Sequence, residues 1–272
     1  MKKFIDALKN YAEGDLLPLE AERIIAEESD LTIAEMEDAA LCIGILPARY
    51  ARNRNTISIA EQRILFQSSV AVVGCGGLGG YIIEELARIG VGHITVIDPD
   101  SFEEHNLNRQ INSDMDTLGR IKVTVVSERV LKINPAVTIL PLAEPFTIKN
   151  GARQFADIQV VADALDSIPR RLELAEVCEK CGIPMVHGSV GGWYGQVATQ
   201  FPGENTLQKI YSRYSGERGI EKDLGNLSFV VPLIASIEVS EIVKILLGVG
   251  STLRGKMLSL NLLDMEFTEI SF

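Results

Sequence analysis

The stretch VAVVGCGGLGGYIIEEL, Val70–Leu86, and the HITVIDPD that follows it, His93–Asp100, decide the fold. An apolar, β-branched run leads into a cluster of glycines, and a helical pattern begins at once. A second apolar run then ends on Asp98. This order predicts a βαβ unit with a nucleotide-binding turn. Gly74 permits a tight turn after the strand, Gly76 and Gly77 remove side chains that would hold a phosphate off the backbone, and Gly79 lets helix and strand pack closely. The N–H groups at the helix start form an anion site. Asp98, 22 residues after Gly76, is placed to accept hydrogen bonds from a ribose.

The pattern continues on both sides of this unit. Apolar β-branched runs predict strands at 70–73, 93–97, 137–142, 158–162, 185–190 and 195–200, and helical periodicity predicts helices at 78–89, 121–133 and 168–181. Alternation of this kind implies an α/β fold, a doubly wound and mainly parallel sheet with helices on both faces. Ser-Gly-Glu-Arg-Gly (215–219) and Gly-Asn (225–226) mark a long loop over 201–228. Val230–Gly248 is apolar all round except for Glu238, Glu241 and Lys244, which predicts a buried helix capped by Gly248. A hairpin-like pair, 257–262 and 265–270, closes the sheet.

Residues 1–48 hold 11 acids and 4 bases, out of a net charge of −11 for the whole chain. They read as two or three short helices forming an acidic extension, with 49–272 as the main domain. Thr32 and Glu35 form a capping box in TIAEMEDAALCIGIL, and Pro47 is expected to end that helix. The extension is expected to pack on the main domain or on a second subunit. Its acidity argues against a helix-turn-helix, because phosphate contacts need basic groups. No apolar run is long enough to span a bilayer, and acids interrupt MKKFIDALKNYAEGDLL before a signal-peptide core can form. Residence in the cytoplasm is the expectation. Four cysteines in 272 residues do not make a disulfide framework.

A glycine-rich loop on its own most often holds a nicotinamide or flavin cofactor. Here DSFEEHNLNRQ follows Asp98 and supplies Asp100, Asn106, Arg109 and Gln110. LGRIKV then brings Arg120 and Lys122 to a helix start, and ADALDS puts Asp163 and Asp166 at a strand's C-terminal end. Hydride transfer does not need this density of Arg, Lys and Asp around the phosphates. Phosphoryl or nucleotidyl transfer does, because cations neutralise charge at phosphorus and a carboxylate holds magnesium.

In these residues the chain resembles the ThiF/MoeB/HesA group, bacterial relatives of ubiquitin-activating E1 enzymes. The resemblance covers about 49–265. It is carried in order by RYxR (Arg49, Tyr50, Arg52), the glycine loop Gly74–Gly79, Asp98 with Asp100, NLxRQ (Asn106, Leu107, Arg109, Gln110) and the Lys122 helix. Ile133–Pro135, Asp163 with Asp166, Gly188 with Gly195–Gln196, and Pro232–Ile234 continue it. It implies a Rossmann-like E1 fold and ATP- and Mg²⁺-dependent adenylylation of the C-terminal carboxylate of a small ubiquitin-like sulfur-carrier protein ending in Gly-Gly, by a homodimer. The resemblance also implies roles. Asp98 and Asp100 belong to the nucleotide site, with Asp98 on the ribose. Gly74 and Gly79 complete the cofactor-binding turn, and Gly76 and Gly77 admit the phosphates. Arg109 and Lys122 neutralise them, Asn106 and Gln110 orient them, and Asp166 holds Mg²⁺. Arg52 reaches across the dimer into the partner's site.

The chain also departs from that group. Relatives hold a structural zinc with two CxxC pairs; here no cysteine follows Cys181, and the single pair, Cys178 and Cys181, lies inside a predicted helix. No zinc site and no redox role are expected. Some relatives carry a cysteine in the long loop that bonds covalently to the carrier. GIEKDLGNLSF has none, and Leu224 lies near its place, so adenylylation without a catalytic cysteine is expected. Ser167 replaces an Asn common after the magnesium Asp.

Cys75 is expected to be an apolar filler turned from the nucleotide, and Cys42 a core residue. His187 is expected to make a backbone hydrogen bond, and His93 and His105 to be solvated. Arg170 and Arg171 suit phosphate, the carrier's acidic surface or a solvated helix face, and Trp193 and Tyr194 either a groove for the Gly-Gly tail or a cover for the sheet edge. Two other readings remain open: activation of another carboxylate, on a modified tRNA or a peptide, and an NAD-binding oxidoreductase or nucleotide sensor.

Overall fold

The computed structural model describes residues 2–212 and 221–272. Helices α1 (Lys2–Tyr11), α2 (Leu19–Ser29) and α3 (Ile33–Cys42) come first, and two-residue strands β1 (Leu16–Leu17) and β2 (Leu46–Pro47) pair in parallel beside them. A 3-10 turn (Ala48–Tyr50) and α4 (Ile59–Phe66) lead into the alternating part: β3 (Ser69–Val73), α5 (Gly77–Ile89), β4 (His93–Ile97), α6 (Lys122–Ile133), β5 (Thr138–Leu142), α7 (Ile148–Gln154), β6 (Val160–Asp163), α8 (Ile168–Cys181) and β7 (Met185–Gly191). β8 (Tyr194–Gln200), α9 (Thr206–Tyr211), α10 (Glu221–Leu224), α11 (Val230–Leu247), β9 (Lys256–Asn261) and β10 (Glu266–Ser271) complete it.

Among the described residues eight strands form one sheet in the order β10-β9-β8-β7-β6-β3-β4-β5. The run from β7 to β5 is parallel, and β8, β9 and β10 are added antiparallel. Val70, Val72, Val96 and Ala162 face α5, α6 and α11, whereas Ala71, Val73, Ile97 and Val161 face the layer containing α8. A strand covered on both faces needs apolar residues at every position, and SVAVV satisfies this. The chain reverses its direction of strand addition at β3, with β4 on one side and β6 on the other. That point is where open α/β sheets leave a crevice at the strand C-termini.

The predicted strands and the three long helices are present within one or two residues. Four helices fall where no helix was read from the sequence. α4 carries its own capping box, Ser58 with Glu61, and α7 another, Thr147 with Asn150; both are too short for a clear helical period. α9 and α10 occupy the described parts of the expected loop 201–228, while 215–219 lies outside the described residues. The third helix ends at Cys42, before Pro47, and the chain then turns at Gly44 (φ 79°). Cys42 is exposed rather than in the core, because it lies on the outer face of α3.

The acidic extension packs on the rest of the chain. Leu8, Leu17, Ile25, Met36 and Ala40 form a small core of their own, and Leu41, Leu46, Tyr50, Phe66 and Ala136 join it to the main body. Two of its acids are buried. Glu22 and Glu37 both pair with Arg49, and the Tyr50 hydroxyl donates to Glu37 at 2.8 Å. Burial, outweighing Arg49 and assisted by the neighbouring Glu37, pushes the Glu22 carboxyl up to about 7. Arg49 and Tyr50 of the RYxR segment therefore fasten the extension to the body.

Candidate nucleotide-binding site

A cavity of about 360 Å³ opens at the C-terminal ends of β3, β4 and β6. Its floor is the glycine turn. Gly74 has φ 100°, and a Cβ there would stand 2.5 Å from the Ala164 carbonyl oxygen. A Cβ on Gly76 would touch the Gln110 amide at 3.4 Å, and one on Gly77 would meet Val231 at 3.3 Å. Gly79 lies behind the turn against the Gly74 carbonyl and Ala164. The first turn of α5 begins at Gly77 and faces the cavity with its unpaired N–H groups.

The sequence-predicted residues converge on this space. Gly74, Gly76, Gly77, Asp98, Asp100, Asn106, Arg109, Gln110, Lys122 and Asp166 all line it. Asp98 is buried; one carboxylate oxygen accepts from Cys75 N–H at 2.7 Å and the other from Asp100 N–H at 2.8 Å. Burial raises its carboxyl, with Lys122 acting in the opposite direction. Lys122, at the start of α6, is almost wholly buried and stands 3.3 Å from Asp100 Oδ2. Arg109 is held by the His105 carbonyl (3.0 Å) and Asn108 Oδ1 (2.8 Å). Burial lowers its guanidinium, and the charge of Asp166 offsets this.

Other positions differ from expectation. The side-chain oxygen of Asn106 accepts from Glu103 N–H at 3.0 Å, so its amide is partly engaged in the turn. Gln110 Oε1 is buried without a partner among the described residues, which leaves an acceptor beside the glycine turn. Arg52 is exposed and does not line the cavity. Cys75 is fully buried in the core under α5, where burial raises its thiol.

The side chain of His187 makes no hydrogen bond to backbone among the described residues. It is fully buried, with Nδ1 at 2.8 Å from Asp163 Oδ2 and Nε2 at 3.0 Å from the Tyr211 hydroxyl. Burial lowers its pKa. Arg170 and Arg171 both line the cavity; Arg171 also donates to the Leu165 carbonyl and Tyr211, while Arg170 is exposed and pairs with Glu173 at 2.6 Å.

Val190, Asn226 and Val231 also line the cavity and were not singled out from the sequence. They come from β7, the segment after α10 and α11, and no local motif marks them. Beyond them Trp193 packs on Phe229, ring centroids 5.0 Å apart, and both are exposed. No group of three or more His, Cys, Asp or Glu among the described residues is arranged to hold a metal ion. No helix among them is long and apolar enough to cross a membrane.

Comparison with known proteins agrees with this geometry. The ThiF family model matches residues 50–272. The SAMP-activating enzyme E1 of Haloferax volcanii is 33% identical over 229 residues, covering 82% of this chain and 84% of that protein. The molybdopterin-synthase adenylyltransferase of Escherichia coli is 30% identical, over 77% of this chain and 85% of that protein. The chain spans about half the length of other curated relatives, which are named as adenylyltransferase and sulfurtransferase. A crystal structure of E. coli MccB with ATP shares the fold at a TM-score of 0.70 and 19% identity, over 82% of this chain and 71% of that one. The match over most of its length places the chain in the ThiF family, as an adenylyltransferase.

Proposed function

We propose that this chain transfers AMP from ATP to the C-terminal carboxylate of a small ubiquitin-like sulfur-carrier protein ending in Gly-Gly. The observation that carries this reading is the convergence of Asp98, Arg109, Lys122 and Asp166 on one glycine-floored cavity. The names of relatives support the partner class: one activates SAMP, and another, from Thermus thermophilus, is a sulfur carrier protein adenylyltransferase.

The chemistry follows from placement. Asp98 keeps free lone pairs on both oxygens for the ribose hydroxyls. The N–H groups of the α5 start receive phosphate oxygens, and no side chain stands between. Gln110 and the free amide nitrogen of Asn106 orient the chain of phosphates. A carboxylate oxygen of the carrier attacks the α-phosphorus, a new P–O bond forms, and the bond to pyrophosphate breaks. The attacking carboxylate is already ionised, so no general base is required. Arg109 and Lys122 neutralise the charge that builds on the phosphates, in fixed positions that cost no reorganisation.

Asp166 fits a magnesium ion by the chemistry of its donor. It is a hard oxygen ligand, exposed at the cavity wall, with no side-chain hydrogen bond among the described residues. Magnesium takes one or two carboxylates and completes its shell with phosphate and water, and when bound it supplies neutralisation of phosphate charge. A structural zinc is not part of this reading, since no cysteine follows Cys181.

The absence of a cysteine in GIEKDLGNLSF supports release of the acyl-adenylate without an enzyme thioester. The exposed Trp193 and Phe229 beside Asn226 offer a surface for the carrier tail. Use of ATP fits a cytoplasmic enzyme, and a homodimer would bring Arg52 to the partner's cavity. Pyrophosphate–ATP exchange tests the reading: exchange is expected only when a Gly-Gly-ended carrier is present. Tight NAD binding with no exchange would overturn it.

A further inference from the structure

Beneath the loop that carries Asp166 runs a closed circuit of hydrogen bonds. Leu165 N–H donates to Asp163 Oδ1 at 3.1 Å. Asp163 Oδ2 meets His187 Nδ1 at 2.8 Å, and His187 Nε2 meets the Tyr211 hydroxyl at 3.0 Å. Arg171 Nη1 donates to that hydroxyl at 2.6 Å, and its Nε and Nη2 donate to the Leu165 carbonyl at 3.0 and 2.6 Å. The circuit starts and finishes on Leu165, the residue before Asp166. It draws one member each from β6, α8, β7 and α9.

The proton order round the circuit follows from the chemistry of its members. Arg171 can only donate, so the Tyr211 oxygen accepts from it. Asp163, as a carboxylate, accepts from Leu165 N–H and from His187 Nδ1–H. That tautomer, assigned from the hydrogen-bond network, leaves His187 Nε2 as the acceptor for the Tyr211 proton. Gln196 Nε2 also donates to the Tyr211 hydroxyl, at 3.4 Å, and His187 and Asp163 are fully buried, where such bonds are strongest and most costly to break.

The consequence falls on the backbone. The N–H of Leu165 is held on one side and its C=O on the other, so both peptide planes flanking this residue are fixed. The backbone nitrogen and Cα of the next residue, Asp166, are then held in place, which sets the base from which its side chain reaches into the cavity. Neither His187 nor Tyr211 lines the cavity. Resting on the role given to Asp166 above, we propose that Tyr211, through Arg171 and the His187–Asp163 pair, is a positioning residue that aims the Asp166 carboxylate at the magnesium of the bound nucleotide.

Tyr211→Phe removes one oxygen from the circuit. In carrier-dependent pyrophosphate exchange it should raise the Mg²⁺ concentration for half-maximal rate by about fivefold or more, since the bonds to both Arg171 and His187 are lost. At saturating Mg²⁺ the rate should return to within about twofold of wild type, since the loop is displaced and Asp166 is not removed. A role in folding alone would lower the folded fraction without moving the Mg²⁺ midpoint.

Amide hydrogen exchange reads the same claim without activity. The Leu165 amide should exchange about tenfold faster in the variant, while Val70–Val73 in β3 stay unchanged. If Tyr211→Phe does not fold, Arg171→Lys, which lacks the planar fork on the Leu165 carbonyl, should speed Leu165 exchange about tenfold; Arg171 also lines the cavity, so in this variant the amide alone is read. A wild-type protein with no exchange activity toward any Gly-Gly carrier sinks the proposed function, and the Leu165 amide still decides the positioning. A folded variant with an unchanged Mg²⁺ midpoint and unchanged Leu165 exchange overturns it.

Discussion

Gly79 packs so closely on Gly74 that a Cβ on Gly79 would stand 1.8 Å from the Gly74 carbonyl oxygen. No rotamer relieves a contact to backbone at that distance; the turn or the start of α5 must move. Gly79→Ala should therefore destabilise the protein by the upper part of the ~1–3 kcal/mol range for overpacking, and should weaken ATP binding because the same turn faces the phosphates. A denaturant titration with nucleotide binding in parallel checks this. A variant matching wild type in both would show that the turn can yield to a methyl group at no cost.

The buried group Arg49, Glu22 and Glu37 sets one cation against two carboxylates. Arg49→Met leaves both acids buried without a counter-charge and should cost ~3–5 kcal/mol at pH 8. The pH dependence has a definite sign. The Glu22 carboxyl is raised from 4.5 to about 7 in the folded chain, so the folded state holds this proton more tightly than the unfolded one. Stability from this group is full below pH 4.5 and is lost as pH rises through about 7. Thermal unfolding between pH 5 and 8 should show the decline, and Glu22→Gln should flatten it. An unchanged slope in Glu22→Gln would refute the assignment.

Glu238 lies under Gly188 on α11, fully buried, and neither carboxylate oxygen has a hydrogen-bond partner among the described residues. Burial, reinforced by the charge of Asp163, raises its pKa well above 4.5. The same sign rule applies: this group costs stability as pH rises towards its folded value. Glu238→Gln should keep the wild-type melting temperature near pH 4, below the ordinary carboxyl value of 4.5, and exceed it increasingly up to pH 9. Equal melting curves for the two proteins at pH 9 would count against a protonated Glu238.

In the cavity, Asp166→Ala should lower the exchange rate by about 10² or more with no change in melting temperature, because the side chain is exposed and makes no side-chain hydrogen bond among the described residues. Lys122→Ala should lose a similar factor in rate. It should also unfold more easily, since Lys122 is buried against Asp100. Retained exchange in Asp166→Ala would remove the magnesium role.

Arg52 stands outside its own chain's cavity, which makes the dimer reading open to a mixing experiment. Arg52→Ala and Asp166→Ala should each be inactive alone. Mixed and re-associated subunits should regain up to about a quarter of wild-type activity, the share of sites in which both residues are intact. No recovery in a confirmed mixed dimer would confine Arg52 to some other role.

The parallel sheet, the glycine turn and the pocket residues Asp98, Arg109, Lys122 and Asp166 were all legible from the sequence. Each sits beside a signal carried by its own segment: a β-branched run, a cluster of glycines, a helix start or the end of a strand. α4, α7 and α9 were not, because helices of six to eight residues complete too few turns to show a period. His187 was noticed but given the wrong partner, and the bonds of Arg171 to Leu165 and Tyr211 were not foreseen. The partners Asp163 and Tyr211 lie 24 and 40 residues away, and the strand order and helix layers decide which segments meet.

Local sterics and hydrophobic period are written along the chain, so the backbone path through the nucleotide turn could be derived from Val70–Asp100 alone. Partnership between distant polar side chains is not written there. Glu22 and Glu37 look like solvated surface acids until packing buries them around Arg49, and Tyr211 looks like an ordinary helix residue until α9 lays it beside His187 and Arg171. Burial converts weak, water-competed contacts into strong and selective ones, and burial is a property of the assembled layers.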